Sequence, residues 1–250
     1  NNTSSCAPGD ALIISSLGEG AVAVELTAVY TINTHTVTTT NGAGIASTTI
    51  TCSNNSSNTT NTCTYGDTVT ISATPATGYT FTSWTVNSGS ITITNNQFTM
   101  PDEDVTITAN AVKKYTYTLN LNSNDGTTAK TVLNYPTSGG TTDTSHTFTN
   151  LNSQAPSRTG YTFLGWATTS TGTSYITSYT LNSSSAGSTP TSSGFPVTGN
   201  LYAKWQLNSY TVSVRNSNTT SGASSLSIPY GGSKTVTVTP SSGYYLSGVS

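Results

Sequence analysis

The sequence predicts an elongated array of tandem small β domains, all-β to α+β in class. Three observations lead there. One phrase recurs at nearly constant spacing: Gly78-Tyr79-Thr80-Phe81-Thr82-Ser83-Trp84, then Gly160-Tyr161-Thr162-Phe163-Leu164-Gly165-Trp166, then more loosely Gly243-Tyr244-Tyr245-Leu246-Ser247-Gly248-Val249. The Gly-Tyr pairs lie 82 and 83 residues apart, a period that marks copies of one folding unit rather than a single enzyme core. Val, Ile and Thr alternate, and 14 Tyr and 3 Trp accompany them, as half-buried strands require. No segment holds a sustained helical period with caps, which leaves room for one short helix or helical turn per repeat.

Each element follows in chain order. Residues 1–29 form an N-terminal arm with two apolar runs, Ala11 to Leu17 and Ala21 to Val29, the second read as a strand. The first repeat spans 30–112. Asn41-Gly42 reads as a hairpin turn. Val69, Ile71 and Ala73 share one strand face, and Pro75 ends that strand. Gly78 opens the aromatic strand. Pro101 to Asp104 reads as a turn with its acids in solvent. Val105, Ile107, Ala109 and Ala111 line a closing strand. The second repeat spans 113–206, with a hairpin turn at Asn124-Asp125-Gly126 and a closing Leu201-Tyr202-Ala203-Lys204-Trp205. The third spans 207–250. Its Tyr230-Gly231-Gly232, Pro240 and Gly243 repeat Tyr65-Gly66-Asp67, Pro75 and Gly78. It is expected to be incomplete, its closing strands supplied by more of the protein or by another chain. Within the aromatic strand both faces are apolar. The strand is therefore central in its sheet, or a bulge near Ser83 and Gly165 turns the Trp inward. Core roles are expected for Tyr79, Phe81, Trp84, Tyr161, Phe163, Trp166, Tyr202, Trp205 and Tyr244.

Composition narrows the class of partner. Only 6% of residues are charged and the net charge is −2, so no basic patch exists to neutralise phosphates and nucleic-acid binding is not expected. No stretch has the length of a membrane-spanning helix, so no membrane insertion is expected in this segment. A Ser/Thr/Asn-rich, lysine-poor chain suits an extracellular or cell-surface setting, where disulfides form. Cys52 and Cys63 flank a polar loop. A bridge there would close a short ring worth roughly 3 kcal/mol, and two free thiols or an incomplete metal pair are the alternatives. Cys6 is then left over for an intermolecular crosslink or as a reactive thiol.

The motifs of the second repeat, Arg158 to Trp166 together with Asn200-Leu201-Tyr202-Ala203-Lys204-Trp205, resemble the Listeria–Bacteroides repeat, the B-repeat of internalin-type surface proteins. The first repeat is similar to the divergent form, on Tyr65-Gly66-Asp67, Pro75, Gly78 to Trp84 and Phe98-Thr99-Met100-Pro101. The third resembles that divergent form too, with Val249 at the Trp position. The resemblance implies a β-grasp-like fold, a surface or secreted location, and no catalytic residues to carry over.

The residues themselves supply no catalytic, cofactor-binding or metal site. His35 and His146 fall in different repeats without ligand-spaced partners. Asp102-Glu103-Asp104 lacks the spacing of a calcium loop. No Gly-x-Ser-x-Gly elbow occurs. The expectation is therefore an extracellular structural protein, a stalk or filament subunit that self-associates, in one version by strand exchange through the arm. The alternative is an adhesin region whose aromatic or loop surfaces hold a glycan or host protein.

Overall fold

The computed structural model describes residues 30–54, 61–126, 130–140, 142–214, 218–221 and 225–248. The arm's apolar strand and Cys6 lie outside them. The described chain is nearly all β. Its only helical elements are two 3-10 turns, Leu151–Gln154 and Ser183–Ser185.

In the first repeat the strands are β1 Thr34–Asn41, β2 Ile45–Cys52, β3 Thr62–Thr64, β4 Thr68–Pro75, β5 Tyr79–Ser88, β6 Gln97–Thr99 and β7 Val105–Lys113. They form two sheets, in the orders β3-β1-β7-β5 and β2-β4-β6. β1 and β7 are parallel, so the first and last strands lie side by side at the sheet centre. Alternation does what the sequence implies: Val69 and Ile71 point inward from β4, and Val105, Ile107 and Ala109 from β7, all essentially without exposure. Val69, Ile71, Val105 and Ile107 form one apolar cluster with Val37, Phe98, Met100 and the two cysteines.

The second repeat contains β8 Tyr115–Asn122, β9 Thr131–Pro136, β10 Ser145–Phe148, β11 Tyr161–Ala167, β12 Tyr179–Asn182 and β13 Phe195–Leu207. Its main sheet, β11-β13-β8-β9, again sets first and last strands parallel. β10 and β12 pair separately. The core gathers Tyr117, Leu119, Leu121, Leu151, Trp166, Val197, Leu201 and Ala203. The third repeat has β14 Ser209–Ser213 paired with β16 Ser225–Pro229, and β15 Thr219–Ser221 paired with β17 Thr239–Pro240.

Of the two arrangements open for the aromatic strand, the bulge is the one found. β5 and β11 are edge strands, not central ones. Pairing of β5 with β7 shifts register between Phe81 and Ser83, and pairing of β11 with β13 shifts between Phe163 and Gly165. The extra residue turns Trp166 into the core, where it is 1% exposed and its indole N–H donates to the Leu151 carbonyl at 2.9 Å. Trp84 and Trp205 are half-buried against their clusters and donate to the Asn96 side chain and the Ser123 carbonyl. Phe163 also packs on its cluster, while Tyr79, Phe81, Tyr161 and Tyr202 are half-buried.

Two expectations are corrected. Tyr244 is no core residue: it is 58% exposed. Its counterpart Tyr161 is covered because β11 pairs with β13 and the Arg158 guanidinium lies 3.8 Å over its ring. Residues 241–248 belong to no strand, and among the described residues no strand pairs with them. Asn41-Gly42 is not a two-residue hairpin turn. β1 and β2 belong to different sheets, and the left-handed residue is Gly44, at φ +83°. The chain turns a corner there, and the ring of Tyr79 fills the space where a Gly44 side chain would stand. By contrast Asn124-Asp125-Gly126 follows β8 in a true hairpin with β9.

Candidate functional site

Three constructions stand out from the ordinary packing. The first is the staple of the first repeat. Cys52, ending β2, is bridged to Cys63 in β3, with Cα atoms 5.6 Å apart, and both are buried. Next to it Asp67 is 1% exposed. Its carboxylate accepts the Thr64 amide at 2.9 Å, the Ser53 hydroxyl at 3.2 Å and the Asn54 side-chain amide. Its backbone carbonyl accepts the Met100 amide at 2.8 Å. A buried carboxylate is tolerated because donors from several segments surround it.

The second is the acidic turn. Its three acids are exposed, as expected, but each holds a distant segment. Asp102 accepts His35 Nε2 at 2.8 Å and the Asn33 side-chain Nδ2 at 2.8 Å; Asp104 accepts the Thr36 backbone amide at 2.7 Å; Glu103 accepts the Ser90 backbone amide at 2.7 Å. The bond to His35, then that to Asn33, holds Asp102 below the usual carboxylate pKa. The Ser90 bonds lower Glu103, and the Thr36 backbone bond lowers Asp104. His146, in the second repeat, stacks on Tyr135 at 3.6 Å between centroids, and desolvation lowers its pKa. Among the described residues no cluster of three His, Cys, Asp or Glu side chains could hold a metal ion.

The third is the pair of junctions between repeats. One residue, Lys114, separates β7 from β8, and one residue, Asn208, separates β13 from β14. Each linking residue donates its amide to the glycine of the preceding Gly-Tyr phrase: Lys114 to Gly78 at 2.8 Å, Asn208 to Gly160 at 2.9 Å. Both glycines are left-handed, at φ +82° and +79°. Each also receives apolar groups of the next repeat in the space a side chain would need: Pro190 and Phe195 at Gly78, the Tyr230 ring at Gly160. Any Cβ there would collide, and the backbone conformation itself favours glycine. Around the first junction Tyr79 meets Phe195 edge-on at 5.5 Å, the Lys113 ammonium lies 4.7 Å over the Phe195 ring, and the Thr80 hydroxyl donates to Ser138 O at 2.9 Å. The sequence marked these glycines by recurrence, but nothing in it showed that the next repeat sits on them.

At both places a single residue separates the last strand of one small β unit from the first strand of the next. Residues 33–114 match the family model of the divergent InlB B-repeat domain, and residues 117–204 match that of the Listeria-Bacteroides repeat domain. No curated protein and no solved structure matches the chain.

Proposed function

We propose that this chain is an extracellular structural protein of a bacterial surface, a stalk or filament subunit built from tandem β-grasp-like domains. The observation that carries the reading is the pair of one-residue junctions, each locked by a backbone hydrogen bond and by apolar groups seated on glycine. A stalk must pass tension and keep its reach. Linkers of several free residues would let the repeats swing, whereas a single linking residue held by a backbone hydrogen bond restrains them. The two family matches support a surface setting. The staple and the absence of helices long and apolar enough to cross a membrane, among the described residues, are consistent with it.

Polymerisation by strand exchange, with the apolar run Ala21 to Val29 as donor and Cys6 as crosslink, is the finer form of the same proposal. Electron microscopy of the purified chain tests it. Filaments or rods of repeating length are expected, and deletion of residues 1–29 should abolish filaments but leave the second repeat folded. Monomers at every concentration, together with specific retention on a glycan array, would replace the stalk by the adhesin reading.

A further inference from the structure

The sheet β2-β4-β6 of the first repeat turns one face to the core, where Val69, Ile71 and Phe98 are buried. On the other face β4 presents Thr68, Thr70, Ser72 and Thr74, all exposed. β2 sets Thr51 opposite Thr70 and Thr49 opposite Ser72. β6 sets Thr99 opposite Thr68 and Gln97 opposite Thr70. One more row follows. Ile91 and Ile93 pack against the core, Thr92 and Thr94 are exposed, and Thr94 bridges to Gln97 across the left-handed pair Asn95-Asn96. Gln97 apart, every one of these outward side chains is a hydroxyl, and none is charged or aromatic.

A Thr-rich composition does not by itself produce such a face. The outer side of the main sheet in the second repeat mixes Thr118 and Thr198 with Asn200, Tyr202 and Lys204. On β2-β4-β6 the hydroxyls are also fixed in place. Thr49 Oγ1 and Ser72 Oγ lie 2.7 Å apart, and Gln97 Nε2 donates to Thr70 Oγ1 at 3.0 Å. These bonds hold the rotamers and leave each hydroxyl with capacity for water. The face offers no apolar surface to drive another element of the chain onto it. Covering its hydroxyls without partners would cost free energy. The face therefore stays open to solvent.

Outward side chains on a pleated sheet recur at about 4.8 Å from strand to strand and about 6.7 Å along each strand. That two-dimensional pitch is close to the spacing of oxygens on a prism face of ice. Threonine carries a methyl beside its hydroxyl, so ordered water can settle around the methyls while the hydroxyls anchor it. Threonines on a strand are stiff at χ1 and lose little freedom on contact. We propose that the outward face of β2-β4-β6, centred on Thr70, binds ice. A crystalline polysaccharide is the other periodic, uncharged hydroxyl surface, but sugar rings favour aromatic faces, and this sheet presents none outward. Sheet twist confines the match to a small facet. The expected effect is therefore adsorption to growing ice and slowed recrystallisation, not a large depression of freezing. The stalk reading concerns the junctions and does not depend on this face.

The test grows ice slowly from a dilute solution of the full chain and measures protein in the ice and in the remaining liquid. The parent should be enriched in the ice over an unrelated control protein and should keep ice grains small during annealing. Thr70→Tyr sets a bulky ring at the centre of the face; the position is exposed and Tyr suits a strand, so the fold tolerates it. That variant should lose the enrichment. Thr198→Tyr, at an exposed position of the second repeat, should keep it. Circular dichroism and thermal melting check that each variant folds, and Thr99→Tyr on β6 repeats the test should Thr70→Tyr unfold. A parent excluded from ice like the control would overturn the proposal. So would a folded Thr70→Tyr or Thr99→Tyr protein that enters ice as the parent does, or a Thr198→Tyr protein that loses enrichment equally. Exclusion from ice with retention on crystalline cellulose or chitin would put a polysaccharide in place of ice.

Discussion

At Asp67 a single buried carboxylate joins the end of β2, the short strand β3 and the turn before β4. Replacing it with Ala leaves the Thr64 amide without its acceptor in a site that excludes water. The expected loss is about 1–3 kcal/mol of first-repeat stability, read by denaturant titration followed at Trp84. The acidic turn makes a different prediction. Asp102, Glu103 and Asp104 have folded pKa values below their ordinary 3.8, 4.5 and 3.8. Their contribution is therefore complete above those values and is lost as pH falls through the lowered ones. Protection of the Thr36 and Ser90 amides, relative to intrinsic exchange at the same pH, should fall below about pH 4 while that of β13 holds; an equal fall in both would contradict the assignment. His146 acts at higher pH. Its folded pKa lies below the ordinary 6.5, so second-repeat stability is full above 6.5 and declines as pH falls from there through the lowered value. These residues were only half legible in the sequence. The Tyr-Gly turn stood out by repetition, and Asp102 to Asp104 stood out as a turn. The partners of Asp102 and Asp104 lie 67 to 69 residues away, and local pattern carries no information on which distant donor an acid will meet.

Strand elements were legible wherever one face is buried, because a period of two then shows in the residues themselves. β4 and β7 are such cases, with inward Val69, Ile71, Val105 and Ile107. The aromatic strands were not settled that way, since Tyr, Phe and Trp occupied both faces. Only pairing shows that a bulge after Phe163 re-aims Trp166. Trp166→Ala should therefore open a cavity and cost roughly 3–5 kcal/mol. An unchanged melting temperature of the second repeat would contradict this. The corner at Gly44 misled for a related reason. Asn-Gly signals a tight turn, but whether that turn joins paired strands depends on the sheet each strand enters. The staple belongs to this scale too. Cys52→Ser with Cys63→Ser should lower first-repeat stability by roughly 3 kcal/mol, the entropy of closing an 11-residue separation. The second repeat should be unaffected, and calorimetry of reduced and oxidised protein separates the two.

For the whole molecule the period of 82 and 83 residues announced an array, but not whether its members act together. That depends on the junctions. In a linear array stability is the sum of each unit's own term and the terms at its interfaces. The first junction contributes the Lys114 to Gly78 hydrogen bond and the seating of Pro190 and Phe195 on Gly78. It also includes the Tyr79 to Phe195 contact at 5.5 Å. Gly78→Val attacks this interface alone, because its Cβ would strike Pro190 and its backbone would be held left-handed. Strain of about 1–3 kcal/mol is expected there. The neighbouring cores, built around Val69 and Ile107 on one side and Leu119 and Val197 on the other, are not touched. The indole N–H signals of Trp84 and Trp205 in NMR spectra can read the two repeats apart while Trp166 stays in the core. With the junction intact both should report one transition in denaturant. With Gly78→Val the Trp84 transition should move to lower denaturant and detach from that of Trp205. If the transitions stay coincident in the variant, or are already separate in the parent, the repeats are independent beads and the junction transmits no stability between them.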